Sequence, residues 1–187
     1  MPSRLPPDVR AKLEPIKLVV LDVDGVLTDG SLIYSADGED RKRFSARDGL
    51  AIRLLLKAGI QVGIISGRSS EAVITRCSEL GVRSELTIVG SNDKSADLDR
   101  MEELLQIADS EIAAMGDDLP DLPLLARAGF AACPNDAAPE VIAACDLVCG
   151  AEGGRGAVRE LAEVVLKGQG RWIELVSEWL TPGMQRG

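Results

Sequence analysis

Five short apolar runs, separated by four amphipathic segments, restrict the folds open to this chain more than any other feature. Residues 17–22, 61–65 ("QVGII"), 85–89 ("ELTIV"), 111–115 ("EIAAM") and about 129–132 read as buried strands. Between them, "ARDGLAIRLLLKAG", "SSEAVITRCSELG", "DKSADLDRMEELLQIA" and "LPDLPLLARAG" space apolar residues as a helix does, and several stop at glycine. Repeated strand–helix units predict an α/β fold of three layers, a parallel sheet with helices on both faces. Ligands of such sheets gather at the C-terminal ends of the strands. "SLIYSADGEDRKRF" breaks the alternation: two strand-like runs flank Asp37-Gly38, a hairpin-turn signal, and predict a β-hairpin inserted over residues 30–45. A length of 187 residues suits one domain, residues 1–187. Residues 1–15 and 181–187 are expected to fray, and 151–187 to form a glycine-rich turn and a helical tail.

Composition removes whole classes of chemistry. The chain has no histidine, which excludes Ser-His-Asp hydrolysis, His-Cys dyads and His-ligated metals. Thirty acidic residues remain to carry chemistry near neutral pH. A net charge of −9 disfavours nucleic acid or an anionic membrane as partner, since those surfaces reward clustered Lys and Arg. No stretch has the length of a signal-peptide core or a membrane span, so a cytoplasmic protein is expected. Cys77, Cys133, Cys145 and Cys149 lie in apolar surroundings without a C-x-x-C framework and read as reduced, packed thiols.

The strand ends carry the polar groups. "KLVVLDVDG" runs an apolar strand into Asp22 and Asp24, which period-two spacing sends to one face. The second strand ends in "ISGR" with Ser66, Lys94 stands at a later helix start, and "MGDDLPD" supplies Asp117, Asp118 and Asp121. Two carboxylates 4 Å apart repel by about 1 kcal/mol in water and about 4 at an effective dielectric near 20. A divalent cation turns that repulsion into binding, and an all-oxygen set suits Mg²⁺ beside a phosphate. One carboxylate of the pair can then act as nucleophile while its neighbour shuttles a proton. Ser66 and Lys94 can bind the phosphoryl oxygens.

"DVDGV", "ISGR", Lys94 and "GDDLPD", in that order, resemble the four motifs of the haloacid dehalogenase (HAD) superfamily of phosphotransferases. The resemblance implies the Rossmann-like HAD fold, an aspartyl-phosphate at Asp22, and Asp24 as general acid and then base. It further implies Mg²⁺ held by the Asp22 carboxylate, the Asp24 backbone carbonyl and Asp117, with Asp118 and Asp121 orienting Lys94 and metal waters. Only 41 residues separate Asp24 from Ser66, and 22 separate Lys94 from Asp117, which leaves no room for a large cap domain. A monomer's site would lie open to solvent, and a neighbouring subunit is the simplest cover.

A closer resemblance covers Ile16 to about Leu166. "DGVLTDG", "RDG" (47–49), "SGR" (66–68), "GDDLPD" and "GGRGAVRE" (153–160) are similar to the 3-deoxy-D-manno-octulosonate 8-phosphate phosphatase family. That likeness implies a homotetramer joined through the hairpins, with the glycine-rich tail reaching an adjacent subunit's site, and a small anionic sugar acid phosphate as substrate. Arg47 and Arg68 are the candidates for gripping the sugar carboxylate. Gly67 and Arg155 belong to the same substrate-binding motifs. A related phosphatase of nine-carbon sialic-type acids typically carries Glu where Arg68 stands, so the arginine favours the eight-carbon substrate; that nine-carbon enzyme or a broad sugar phosphatase is the alternative.

Blander readings stand beside these. Asp22 and Asp24 can begin an Asx turn, Ser66 can cap the next helix, Lys94 can be solvated, and Asp118 and Asp121 can complement a helix dipole. Arg47 and Arg68 can form ordinary ion pairs, and "EGGRG" can be a plain loop. "CSELGVR" (77–83) has the C-x5-R spacing of cysteine phosphatases, but it sits inside a helical pattern ending at Gly81, the reverse of the strand-to-helix loop that chemistry needs. Similar domains fused to synthetases serve as oligomerisation modules, which leaves a non-catalytic role as the alternative of another class.

Overall fold

The strand β1 (Leu18–Leu21) lies at the centre of the fold, buried along its whole length. A computed structural model describes residues 6–34 and 40–180. The chain continues through a two-strand ladder, β2 (Ile33–Tyr34) and β3 (Asp40–Arg41), into α2 (Ala46–Lys57), which follows the N-terminal helix α1 (Pro7–Leu13). Then come β4 (Gln61–Ser66), α3 (Glu71–Leu80), β5 (Thr87–Val89), α4 (Lys94–Leu105), β6 (Ile112–Met115), α5 (Leu122–Arg127), β7 (Phe130–Cys133), α6 (Pro139–Ala144), β8 (Leu147–Val148), α7 (Ala157–Gly168) and α8 (Trp172–Leu180).

Six strands form one parallel sheet in the order β5-β4-β1-β6-β7-β8. Alternation along β1 divides the core: Val19 and Leu21 face one cluster, with Leu13, Leu55 and Leu161, while Leu18 and Val20 face the other, with Leu98, Met101 and Leu124. Helices α1, α2, α3, α7 and α8 thus cover one face and α4, α5 and α6 the other, the expected three layers. Each fully buried Leu or Val contributes about 1.5–3 kcal/mol of transfer free energy.

Register places the site. Leu21 pairs with Ile64 on one side and Met115 on the other. The residues that follow, Asp22 to Asp24, therefore emerge level with Ser66 and Asp117, where strand order reverses about β1.

Some expectations needed correction. Residues 6–15 do not fray: α1 docks on α7, with Leu13 fully buried and the Gln169 side chain donating to the Leu13 and Ile16 carbonyls at 3.2 and 2.8 Å. Residues 84–86 form a 3-10 turn before β5. The sequence reading passed over α6 and β8, which are too short for periodicity to register. β2 and β3 pair antiparallel, while the Asp37-Gly38 turn lies outside the described residues. All four cysteines are free thiols, and Cys77, Cys133 and Cys149 are buried.

Candidate active site

Two strand ends and one helix start build the centre. β1 ends at Leu21, so Asp22 and Asp24 belong to the loop beyond it, and the turn rather than strand alternation aims them. Asp22 is tied to β6 by its N–H, which donates to the Met115 carbonyl at 3.0 Å. The Thr28 hydroxyl, itself buried, accepts from the Gly30 N–H at 3.2 Å and donates to the Val23 carbonyl at 3.3 Å, closing the loop. Gly25 has φ +93°, and a Cβ there would fall 2.1 Å from an Asp117 carboxylate oxygen. Only glycine lets the two loops approach.

Lys94 Nζ donates to Asp22 Oδ1 and Asp121 Oδ1, both at 2.5 Å. Asp93 caps α4 by accepting from the Ser95 and Ala96 N–H groups, which sets the first turn and so the root of Lys94. The other oxygen of Asp121 accepts from the Asp117 and Asp118 N–H groups at 2.9 and 3.3 Å, leaving both its oxygens engaged. Asp22, Asp117 and Asp121 each offer an oxygen within 4.8 Å of the others, a spacing a cation can bridge. Among the described residues Asp117 has no ion-pair partner.

The electrostatics match this crowding. Burial, then the charge of Asp121, pushes the Asp22 carboxyl up to about 6 against the pull of Lys94. Burial and the charges of Asp22 and Asp121 push Asp117 up to about 7. Burial opposes the charge on Lys94, yet its two carboxylate partners outweigh it and raise its pKa. These acids need a cation more than Lys94 alone supplies.

Around the centre, Ser66 is buried at the end of β4, its hydroxyl bonded to the Arg68 backbone, and α3 begins only at Glu71. The helix-cap reading of Ser66 therefore fails. Asp24 Oδ1 accepts from Lys42 Nζ at 2.5 Å, while its Oδ2 is buried without a hydrogen bond among the described residues and stands 4.0 Å from Arg68 Nε. Arg68 also donates to the Tyr34 hydroxyl at 2.8 Å.

A haloacid dehalogenase-like hydrolase model matches residues 86–161. The 3-deoxy-D-manno-octulosonate 8-phosphate phosphatase KdsC of Escherichia coli K12 is 42% identical over 167 residues, which span 89% of this chain and 88% of that protein. The chain belongs to this phosphatase family. Its fold agrees with that of the Moraxella catarrhalis phosphatase in complex with magnesium, phosphate and KDO, at a TM-score of 0.89 and 38% identity, covering 92% of this chain and 98% of that one. The cobalt-bound Haemophilus influenzae phosphatase gives a TM-score of 0.85 and 39% identity over 91% and 99% of the two chains.

Set in this phosphatase family, the residues picked from sequence divide by place. Asp22, Asp24, Ser66, Lys94, Asp117 and Asp121 meet at the sheet edge, with Gly67 and Arg68 exposed at its rim. Asp118 is exposed and accepts from the Leu119 N–H as the cap of a turn, and among the described residues it makes no hydrogen bond or ion pair with Lys94. Arg47 is exposed on α2, with no hydrogen bond or ion pair to the centre among the described residues, and Arg155 pairs with Glu152 at 3.2 Å. Part of the glycine-rich segment packs on its own chain: a Cβ on Gly153 would lie 1.8 Å from the Gly25 carbonyl oxygen, and the Gly154 N–H donates to the Val26 carbonyl at 2.9 Å. Sequence reading missed Lys42, whose side chain is 1% exposed, because "EDRKRF" reads as a solvated charge run. It also missed Tyr34 as the partner of Arg68.

Proposed function

We propose that this chain hydrolyses 3-deoxy-D-manno-octulosonate 8-phosphate to the free sugar acid and phosphate through an aspartyl-phosphate at Asp22. The observation that carries the reading is the meeting of Asp22, Asp117 and Asp121 with Lys94 at one sheet edge, in a chain 42% identical to a phosphatase of that substrate. An Asp22 oxygen attacks phosphorus, the bond to the sugar oxygen breaks, and Asp24 gives that oxygen its proton. Water then attacks the phosphorus, Asp24 takes the water's proton, and the Asp22 carboxylate and phosphate are released. Asp24 Oδ2, buried without a hydrogen bond among the described residues, suits a group that exchanges a proton with the substrate. Ser66 and Lys94 hold the phosphoryl oxygens, where charge stabilisation counts most.

The donor set fits Mg²⁺: oxygen ligands only, on Asp117 and Asp22 with the Asp24 backbone carbonyl, and two carboxyl pKa values raised by burial and then by neighbouring acids. When bound, the ion neutralises phosphate charge and keeps Asp22 ionised. Asp121, with both oxygens engaged, holds Lys94 in place.

Arg68, 4.0 Å from Asp24, is the better placed arginine for the sugar carboxylate; Arg47 and Arg155 keep only their motifs in support. The whole chain acts as one catalytic domain in a cytoplasmic homotetramer. Exposed Leu32, Ile33 and Tyr34 beside the ladder suit cover by another copy. The test is phosphate release from the eight-carbon and nine-carbon sugar acid phosphates with and without Mg²⁺. A kcat/KM at least about tenfold higher on the eight-carbon substrate, lost on chelation, is expected; release from neither substrate overturns the reading.

A further inference from the structure

Two motifs have no part in the chemistry so far: the aspartate of "RDG" and the glycines of "GGRG". Asp48, in the first turn of α2, is 1% exposed, and its carboxylate has no ion pair among the described residues. It instead accepts from two N–H groups at the start of α7: Gly156 to Oδ2 at 3.1 Å and Arg159 to Oδ1 at 2.9 Å. A carboxylate buried this deeply is tolerated because charge-assisted bonds and the positive end of the helix dipole compensate it. Just before those N–H groups, Gly153 and Gly154 lie flat on the loop that holds Asp22 and Asp24. Besides the Gly154 bond to Val26, a Cβ on Gly154 would come within 2.6 Å of the Thr28 carbonyl carbon. Backbone rests on backbone, so a shift of the segment moves the loop.

We infer that Asp48 is a positioning residue for the proposed phosphoryl transfer: by anchoring the start of α7 it presses Gly153-Gly154 onto residues 25–28 and fixes the loop bearing Asp22 and Asp24. The inference rests on the proposed function for its kinetic readout, and the loop readout is independent of it. Small displacements of reacting groups cost about 10²-fold in rate.

The test compares Asp48→Asn, which keeps one acceptor oxygen, with Val165→Ala, a core change farther along α7, at temperatures giving equal margins below each melting point. In Asp48→Asn, exchange of the backbone amides of residues 23–30 should quicken by about tenfold or more, and kcat should fall about 10- to 100-fold with KM within about threefold. Gly153→Ala, which pushes the same loop from the other side, should show the same two signatures, and Val165→Ala neither. Loop exchange or kcat in Asp48→Asn equal to that of Val165→Ala overturns the inference. If the wild type releases no phosphate, the proposed function falls, and amide exchange alone decides the role of Asp48.

Discussion

Two clusters in this molecule set three acids around one basic side chain, and they behave as opposites. At the sheet edge, Lys94 faces Asp22 and Asp121 with Asp117 beside them, and the paired side chains are at most 10% exposed. On the far layer, Arg127 of α5 pairs with Asp99 at 2.7 Å, Glu102 at 2.6 Å and Asp109 at 3.0 Å, and Asp99 and Asp109 are 61% and 45% exposed. Arg127 also donates to the Ser95 carbonyl and hydroxyl. The charge count is the same in both places, but each acid around Arg127 is committed to a guanidinium whose planar donors match it; water screens Asp99 and Asp109, and burial with the charge of Asp109 pushes the less exposed Glu102 up to about 7. At the edge, Asp117 is left over where water screens poorly. A surplus of buried negative charge marks a site that takes a cation; a solvated surplus marks a clamp between helices.

The largest expected effect is at the proposed nucleophile. Asp22→Asn should lower kcat by about 10⁴-fold or more while the protein stays folded, since it removes the attacking oxygen and relieves buried charge. Initial rates beside circular dichroism check this, and near-wild-type turnover would remove Asp22 from the mechanism.

Lys94→Met should cost both rate and fold. Loss of the proposed phosphoryl-binding cation should lower kcat by about 10²–10³-fold, and leaving Asp22 and Asp121 uncompensated should destabilise the protein by about 3–5 kcal/mol in urea melts. Added Mg²⁺ should restore part of the stability but not the rate.

Acidity sharpens the contrast further. In the metal-free fold, Asp22 and Asp117 hold their protons up to about 6 and about 7, against an ordinary value of 3.8. The native state then binds more protons than the unfolded chain, so the stabilisation is complete below about pH 4 and is lost as pH rises through 6 to 7. Melting points in chelator should fall by several degrees over that window. Saturating Mg²⁺ should flatten or reverse the slope, because the ion binds the deprotonated acids of the native state. An identical slope with and without Mg²⁺ would separate the acids from metal binding.

The smallest effect belongs to the other cluster. Arg127→Gln should cost about 1–2 kcal/mol and leave kcat within about twofold, since its acids can turn to water. A tenfold loss of kcat would instead tie this clamp to the seating of Lys94 through Ser95.

Much of the fold was legible in particular residues. The runs at 61–65 and 111–115 became β4 and β6 nearly as read, because a fully buried parallel strand announces itself as an apolar run. Asp22, Ser66 and Asp117 were legible as a group, since strands of one parallel sheet deliver their C-terminal ends to the same edge. Lys42 was not: its neighbours Arg41 and Arg43 are exposed, and only the path of the hairpin buries its side chain against Asp24. Nor was the seat of Gly153, which a local reading leaves as a flexible turn.

By itself the sequence determined the layered α/β plan, five of the six sheet strands and the oxygen-only chemistry at their ends, because periodicity and residue type act over a few neighbours. Tertiary structure alone decided the partners: Lys94 with Asp22 across 72 residues, and Asp48 with Gly156 across 108. Such pairs are fixed by how the helices pack on the sheet, and no local pattern of side chains carries that information.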